Sequence, residues 1–93
     1  MFFVYMVRCA DGTLYTGLAR DPGKRVDVHN SGKGAKYTRA RLPVSLVYFE
    51  PCDTLSAALR RERQLKPLRR ARKEALIAEA RLAIDQRIAG GSP

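Results

Sequence analysis

Residues 2–18 read FFVYMVRCADGTLYTGL, and this stretch has the strongest strand and turn signals of the chain. Its first part, Phe2–Arg8, is apolar on both alternating faces and rich in aromatic and β-branched residues. This pattern predicts a strand that is covered on both sides and therefore central in its sheet. Asp11-Gly12 predicts a tight turn, because glycine tolerates the positive φ that such a turn requires. With a second strand predicted over Thr13–Leu18, the chain begins with a β-hairpin.

Gly17 is an unusual residue for the interior of the second strand. A glycine there contributes no side chain to packing and carries a larger loss of backbone entropy. Such a residue marks a bulge, or a place where another backbone or a ligand comes close. We therefore keep Gly17 as a candidate site residue.

The rest of the chain predicts one more strand and three helices. These elements are a helix from Asp21-Pro22 to Gly32, a strand over Val44–Glu50, a helix capped by Asp53 or Thr54, and a helix over Leu68–Ile88. The predicted order is thus β-β-α-β-α-α, an α+β fold, with a loop over Ser31–Arg41. A length of 93 residues fits one domain, predicted over residues 1–89, with a disordered tail over 90–93.

The charge balance indicates the class of partner. The chain has 18 Lys and Arg against 9 Asp and Glu, a net charge of +9 at pH 7. Such an excess attracts a polyanion, and nucleic acid is the expected one. We expect no membrane partner, because Trp is absent and the longest apolar run, Phe2–Val7, is far too short to span a bilayer. A cytoplasmic location is expected, with Cys9 and Cys52 as small buried thiols.

Glu62 interrupts an otherwise apolar helical stripe formed by Leu55, Ala58, Leu59 and Leu65. A carboxylate on such a stripe needs a metal, a cation or several hydrogen bonds. One interpretation is a structural ion pair with a nearby Arg or Lys, or a position at the edge of the stripe. The other is a ligand for Mg²⁺, which uses one or two carboxylates and completes its shell with water and phosphate oxygens.

Four other side chains could carry chemistry. Arg25 and His29 lie one turn apart on the first helix, where a guanidinium can bind phosphate and the single imidazole of the chain can exchange a proton near neutral pH. Tyr5 and Tyr15 lie on the paired strands of the hairpin. A phenol can exchange hydrogen bonds, or act as a base when neighbouring cations lower its pKa, although most strand tyrosines simply pack.

Two segments are rich in cations. The loop over residues 31–39 mixes glycine, lysine and an aromatic residue, which suits close approach to phosphates, but it lacks the order of a Walker loop. The second segment has Glu62 as its one acid among eight cations: Arg60, Arg61, Arg63, Lys66, Arg69, Arg70, Arg72 and Lys73. A solvated helix face and a surface that follows a phosphate backbone are both compatible with this pattern.

Together these features resemble the GIY-YIG nuclease superfamily, in particular its small single-domain bacterial branch. The resemblance covers about residues 2–75 and rests on spacing as well as on residue type. The first family motif appears as Val4-Tyr5-Met6 and the second as Tyr15-Thr16-Gly17. Arg25 stands eight residues after Gly17, and His29 stands four residues after Arg25. The remaining elements are a loop over Asn30–Arg39 and Glu62 followed by Lys66.

The resemblance implies a three-stranded antiparallel β-sheet flanked by helices, and the hydrolysis of phosphodiester bonds. It implies that Glu62 holds one Mg²⁺ or Mn²⁺ ion, that Tyr5 or Tyr15 activates or orients the attacking water, and that Arg25 stabilises the charge on the phosphorane. His29 would assist proton transfer or orient the tyrosines. The substrate-binding residues that it implies are Gly17, Asn30, Lys33, Lys36, Arg39 and Lys66.

We expect DNA rather than RNA as the substrate, with structure-selective or nonspecific cleavage and a possible role in DNA repair or recombination. Sequence-specific relatives carry an added recognition domain, and no such domain is predicted here. The alternative is a binding module that keeps the fold and binds DNA or structured RNA without cutting it. The oligomeric state is left open.

Overall fold

A computed structural model describes residues 1–90 of the chain, with side chains described for residues 1–86. Its elements are β1 (Phe2–Arg8), β2 (Leu14–Ala19), α1 (Pro22–Asn30), α2 (Lys36–Arg39), β3 (Ser45–Cys52), α3 (Leu55–Leu65) and α4 (Arg70–Gly90). The strands form one antiparallel sheet in the order β2-β1-β3. The predicted α+β class and the central position of the first strand are confirmed.

The hairpin between β1 and β2 closes at Gly12, whose φ of 85° lies in the left-handed region. The Asp11 carboxylate stabilises this turn by accepting hydrogen bonds from the backbone N and the Oγ1 of Thr13, at 3.0 and 2.6 Å. The resulting register places Tyr5 directly opposite Gly17. This pairing matters for the site, because cross-strand partners lie on the same face of a sheet.

Two side chains cap the helices that flank the sheet. Asp21 Oδ1 accepts a hydrogen bond from Lys24 N at 3.1 Å at the start of α1, where Pro22 occupies the first turn. At the start of α3, Thr54 Oγ1 accepts one from Ala57 N at 3.0 Å. Of the two caps predicted for this helix, Thr54 is therefore the one used.

Several boundaries differ from the predicted ones. The short helix α2 lies inside the segment predicted as a loop, β3 continues past Glu50 through Pro51 to Cys52, and α4 includes Gly90. Proline is tolerated in β3 because this strand lies at the edge of the sheet. Residues 91–93 of the predicted tail lie outside the described residues.

The two faces of the sheet are covered by different helices. Val4 and Met6 of β1 pack with Ala58 and Leu65 of α3 on one face, which we call the apolar face. Partly buried side chains of α4, including Leu76, extend this cluster.

On the opposite face, which we call the polar face, Tyr5 and Val7 form a cluster with Cys9 and Val44, and Val26 of α1 packs against it. The alternation of side chains along β1 thus supplies both cores. Cys9 is buried and Cys52 half-buried, and both are free thiols.

The apolar stripe predicted around Glu62 is only partly buried. Leu55 and Leu59 are exposed, whereas Ala58 and Leu65 are buried. In α3 the buried residues Ala58 and Leu65 lie at one edge of the stripe, and Leu55 and Leu59 lie at its other, exposed edge. None of the described helices combines the length and the apolar character needed to cross a membrane.

Candidate active site

A chain of hydrogen bonds runs through the polar face of the sheet. Tyr5 Oη lies 2.8 Å from His29 Nε2, and His29 Nδ1 lies 2.8 Å from Thr38 Oγ1. The Thr38 hydroxyl donates to the Ala35 carbonyl at 2.9 Å. His29 is 0% and Tyr5 1% exposed, so these contacts satisfy polar groups that water does not reach.

Aromatic side chains enclose the imidazole. The Tyr15 ring meets His29 edge to face, with ring centroids 5.5 Å apart. On its other side Tyr15 stacks on Tyr37 at 6.0 Å, and the Arg41 guanidinium lies 3.9 Å from the centre of the Tyr37 ring. Both motif tyrosines therefore contact the same histidine, one through a hydrogen bond and one through its ring.

Arg25 reaches the same cluster from α1. Burial raises the pKa of the Tyr5 phenol, and interaction with the Arg25 guanidinium opposes that rise. Burial lowers the pKa of His29, and the positive charge of Arg25 lowers it further. At neutral pH the site therefore holds a protonated phenol beside a neutral imidazole.

Glu62 enters the cluster from α3. Its side chain is 17% exposed, and its charge contributes to the raised pKa of Tyr5. The ion pair considered for this residue is present but long, since Lys66 Nζ lies 3.5 Å from Glu62 Oε2 and Lys66 is 55% exposed. The carboxylate thus keeps lone pairs for another ligand.

A metal bound here would have few protein ligands. Among the described side chains, no three His, Cys, Asp or Glu residues gather in a way that could hold an ion. A lone half-buried carboxylate that shares the surroundings of Tyr5 with the Arg25 guanidinium still fits Mg²⁺ or Mn²⁺. Mg²⁺ commonly takes one or two carboxylates and fills its shell with water and substrate phosphate oxygens.

Gly17 provides the space that Tyr5 occupies. A Cβ atom at this position would lie 2.5 Å from Tyr5 Oη and 2.6 Å from its Cζ. The close approach anticipated for this glycine is therefore made by the Tyr5 phenol. A contact between Gly17 and a substrate stays a prediction.

Sequence reasoning missed two residues of the cluster, Gly34 and Thr38. Thr38 binds His29 Nδ1, and Gly34 packs so closely on His29 that a Cβ atom there would overlap the imidazole. The mixture of glycine and cations drew attention to their loop, but not to these two positions. Their contact with His29 depends on how the loop folds back, which no local pattern encodes.

The predicted binding residues lie in different surroundings. Lys33, Lys36 and Arg39 are exposed on the loop, and none is within ion-pair distance of a carboxylate in residues 1–86. The Asn30 amide is bound to the backbone of Val44, donating to its carbonyl at 3.0 Å and accepting from its N at 2.7 Å. Both polar groups of Asn30 thus serve the fold, and its binding of substrate stays a prediction.

The basic tract on α3 and α4 is partly neutralised by two acids that lie outside it, one on β3 and one directly after its last residue. Arg61 Nε lies 2.7 Å from Glu50 Oε1, and Arg70 Nε lies 3.5 Å from Glu74 Oε2. Glu74 also forms a two-bond pair with Arg8 at 2.7 and 2.8 Å. The tract therefore combines structural ion pairs with exposed cations.

Comparison with known proteins identifies the class. The model of the GIY-YIG catalytic domain matches residues 1–75, and the chain belongs to this family. The resemblance seen in the sequence is confirmed.

More particularly, the chain is similar to small bacterial UPF0213 proteins. It is 54% identical over 77 residues to one of Staphylococcus aureus strain Mu3, covering 83% of this chain and 94% of that protein. The solution NMR structure of a Bacillus halodurans UPF0213 protein is 43% identical, with a TM-score of 0.54 and 84% of each chain covered. A solution NMR structure of an E. faecalis protein is 38% identical, with a TM-score of 0.57, covering 86% of this chain and 85% of the other.

Proposed function

We propose that this protein is a metal-dependent endonuclease that hydrolyses phosphodiester bonds in DNA. The observation that carries the proposal is the convergence of Arg25, His29 and Glu62 on the Tyr5 phenol. These residues come from β1, α1 and α3. A cation, a proton acceptor and a carboxylate around one phenol are the groups that phosphodiester hydrolysis needs.

Tyr5 is the residue that we assign to water activation. Its hydroxyl is hydrogen-bonded to a neutral imidazole, so it can pass its proton to His29 Nε2 while it takes a proton from the attacking water. Because Tyr5 is 1% exposed in the free protein, this step requires that DNA binding brings the water to the Tyr5 hydroxyl. The water oxygen then forms the new bond to phosphorus, and the bond to the leaving oxygen breaks. The leaving oxygen takes a proton from solvent. Tyr15 would orient the water and the imidazole.

Arg25 would bind the scissile phosphate and stabilise the charge that develops on its oxygens. A guanidinium is suited to this role because its donors match the geometry of phosphate. In a site that excludes water, such a contact contributes several kcal/mol to transition-state stabilisation, about 10²–10³-fold in rate.

Glu62 would hold one Mg²⁺ or Mn²⁺ ion. When bound, the ion would polarise a phosphoryl oxygen and neutralise part of its charge. Because one carboxylate gives a weak site by itself, we expect the ion to bind tightly only in the presence of substrate phosphate.

DNA is the substrate that we propose, with Lys33, Lys36, Arg39 and Lys66 following its backbone. Contacts to phosphate position a nucleic acid without reading its sequence. Cleavage is therefore expected to be nonspecific or selective for structure, which would suit a role in DNA repair or recombination.

The test is a cleavage assay with Mg²⁺, Mn²⁺ or EDTA on supercoiled plasmid and on branched, flapped and single-stranded DNA, with an RNA strand of matching sequence. Glu62→Gln should abolish metal-dependent cutting. Glu79→Gln, an exposed position on α4, is the matched control and should cut like the wild type. Binding without cutting by the wild type would instead support the noncatalytic module. Cutting by Glu62→Gln at the wild-type rate would refute the metal site.

A further inference from the structure

The loop that follows α1, residues 31–41, folds back over His29, and we call it the clamp loop. Its α2 turn carries Thr38, which is fully buried against the imidazole. Its other contact is Gly34, where an added Cβ would lie 2.8 Å from His29 Cα and 2.9 Å from Cγ. Position 34 therefore requires glycine, because any side chain there would overlap His29.

The hydrogen bonds of Thr38 determine which nitrogen of His29 carries its proton. The hydroxyl has one proton, and it donates that proton to the Ala35 carbonyl at 2.9 Å. Its oxygen can then only accept from His29 Nδ1 at 2.8 Å, so Nδ1 must carry the imidazole proton. A neutral imidazole has one N–H, which leaves Nε2 as an acceptor facing Tyr5 Oη.

The opposite tautomer has an identifiable cost. With the proton on Nε2, Thr38 would have to turn its hydroxyl from Ala35 to Nδ1. Nε2 would then donate to Tyr5, and the phenol proton would need another acceptor. Tyr5 is 1% exposed, so water does not offer one freely.

We propose that Thr38 is a positioning residue: its hydroxyl, bound to Ala35, fixes His29 in the Nδ1–H tautomer and keeps Nε2 open for the proton of Tyr5. The consequence for cleavage rests on the proposed function. The assignment of the tautomer does not rest on the proposed function, and it can be measured even if the protein does not cleave DNA.

The decisive measurement is ¹⁵N NMR of histidine-labelled protein at a pH well above about 6.5, where imidazole is neutral. The chain contains one histidine, so the two ring nitrogens give unambiguous signals. We expect a protonated Nδ1 and an unprotonated Nε2 in the wild type. A wild type with the proton on Nε2 overturns the proposal, whether or not the protein cleaves DNA.

Substitutions then test whether Thr38 is the cause. Thr38→Val keeps the volume but removes the acceptor, so it should move population to the Nε2–H tautomer, and Thr38→Ser should restore the wild-type spectrum. Thr16→Val is the matched control, since Thr16 is a buried threonine whose Oγ1 has no hydrogen-bond partner among the described residues. An unchanged tautomer in folded Thr38→Val overturns the proposal. If that variant does not fold, the wild-type spectrum still tests the proposed tautomer.

Cleavage kinetics give the second readout. Thr38→Val should lower kcat by about 10-fold or more while KM for DNA stays unchanged, because proton transfer is impaired and no phosphate contact is lost. Thr38→Ser should recover most of kcat. A rise in KM at constant kcat would contradict a positioning role. If the wild type does not cleave at all, the proposed function fails, and the tautomer is judged by NMR alone.

Discussion

The two faces of the sheet are both tightly buried, but they are stabilised in different ways. On the apolar face, Val4 and Met6 pack against Leu65, and burial of apolar area provides the free energy. On the polar face, Tyr5 and His29 are just as inaccessible to water, but they are polar and must be hydrogen-bonded. The side chains of β1 alternate between the two faces, so this one strand contributes residues to both.

This difference predicts that stability and activity can be separated by substitution. The apolar face should accept apolar substitutions that keep its volume, because dispersion and burial have no direction. The polar face should accept few changes, because removing one partner leaves another buried polar group unsatisfied.

The largest expected effect is that of Tyr5→Phe on cleavage. Losing the phenol oxygen removes the proposed proton path to His29, so the rate should fall by about 10²–10⁴-fold. The variant should stay folded, losing about 1–3 kcal/mol because His29 Nε2 loses its donor. Single-turnover cleavage and urea unfolding measure the two effects.

Tyr15→Phe is the matched control, because Tyr15 contacts His29 through its ring and not through its hydroxyl. Its rate should fall less than that of Tyr5→Phe. A larger loss in Tyr15→Phe would transfer the role of base to Tyr15.

On the apolar face, Leu65→Ala should lower the free energy of unfolding by about 2–5 kcal/mol. Leu65 is fully buried in the cluster of α3 and β1, so its truncation leaves a cavity. At a temperature where the variant is fully folded, cleavage should stay within a few-fold of the wild type. A folded but inactive Leu65→Ala protein would show that the two faces are coupled.

Gly17→Ala should lower both stability and cleavage rate, with a smaller effect on cleavage than Tyr5→Phe and a smaller effect on stability than Leu65→Ala. Its methyl group would displace the Tyr5 phenol, with a loss of about 1–3 kcal/mol in stability and a fall in cleavage rate. Gly23→Ala is the control, since the nearest atom to its Cβ is Asp21 Oδ1 at 3.5 Å, an ordinary contact. Because alanine favours helix over glycine, Gly23→Ala should leave stability equal or slightly higher.

Most of the fold could be predicted from the sequence because its signals are local. The alternation in Phe2–Arg8, the Asp11-Gly12 turn and the Asp21-Pro22 helix start each depend on neighbouring residues, and each corresponds to an observed feature. The hairpin also explains why Tyr5 and Gly17 meet, since register follows from the turn.

Long-range contacts set the limit of prediction. The single turn α2 has little support from its own sequence, and it lies where Thr38 binds His29, nine residues earlier in the chain. The stripe of α3 shows the same limit: it is broad, and only packing on the sheet selects its edge with Ala58 and Leu65 for burial. The contacts of Gly34 and Thr38 with His29 therefore depend on long-range packing as well as on the local formation of α2.

The smallest expected effect is a pH dependence that belongs to the polar face. Burial lowers the pKa of His29 in the folded protein below its unfolded value of about 6.5, so the unfolded chain binds the proton more readily. The contribution of neutral His29 to stability is therefore complete above about pH 6.5 and is lost as the pH falls through the lower, folded-state pKa. The Glu74 carboxyl, whose pKa is lowered to about 2, contributes stability that is complete above its ordinary pKa and is lost at more acidic pH than that of His29.

Urea unfolding between about pH 8 and pH 5 measures this slope, in a window above the ordinary pKa of carboxyl groups. Leu65→Ala should reduce stability by the same amount at every pH, because the apolar cluster of Val4, Met6, Ala58 and Leu65 contains no titrating group. His29→Gln should flatten the slope, since it removes the imidazole. A slope that survives in His29→Gln would assign the pH dependence to other groups and weaken the contrast between the two faces.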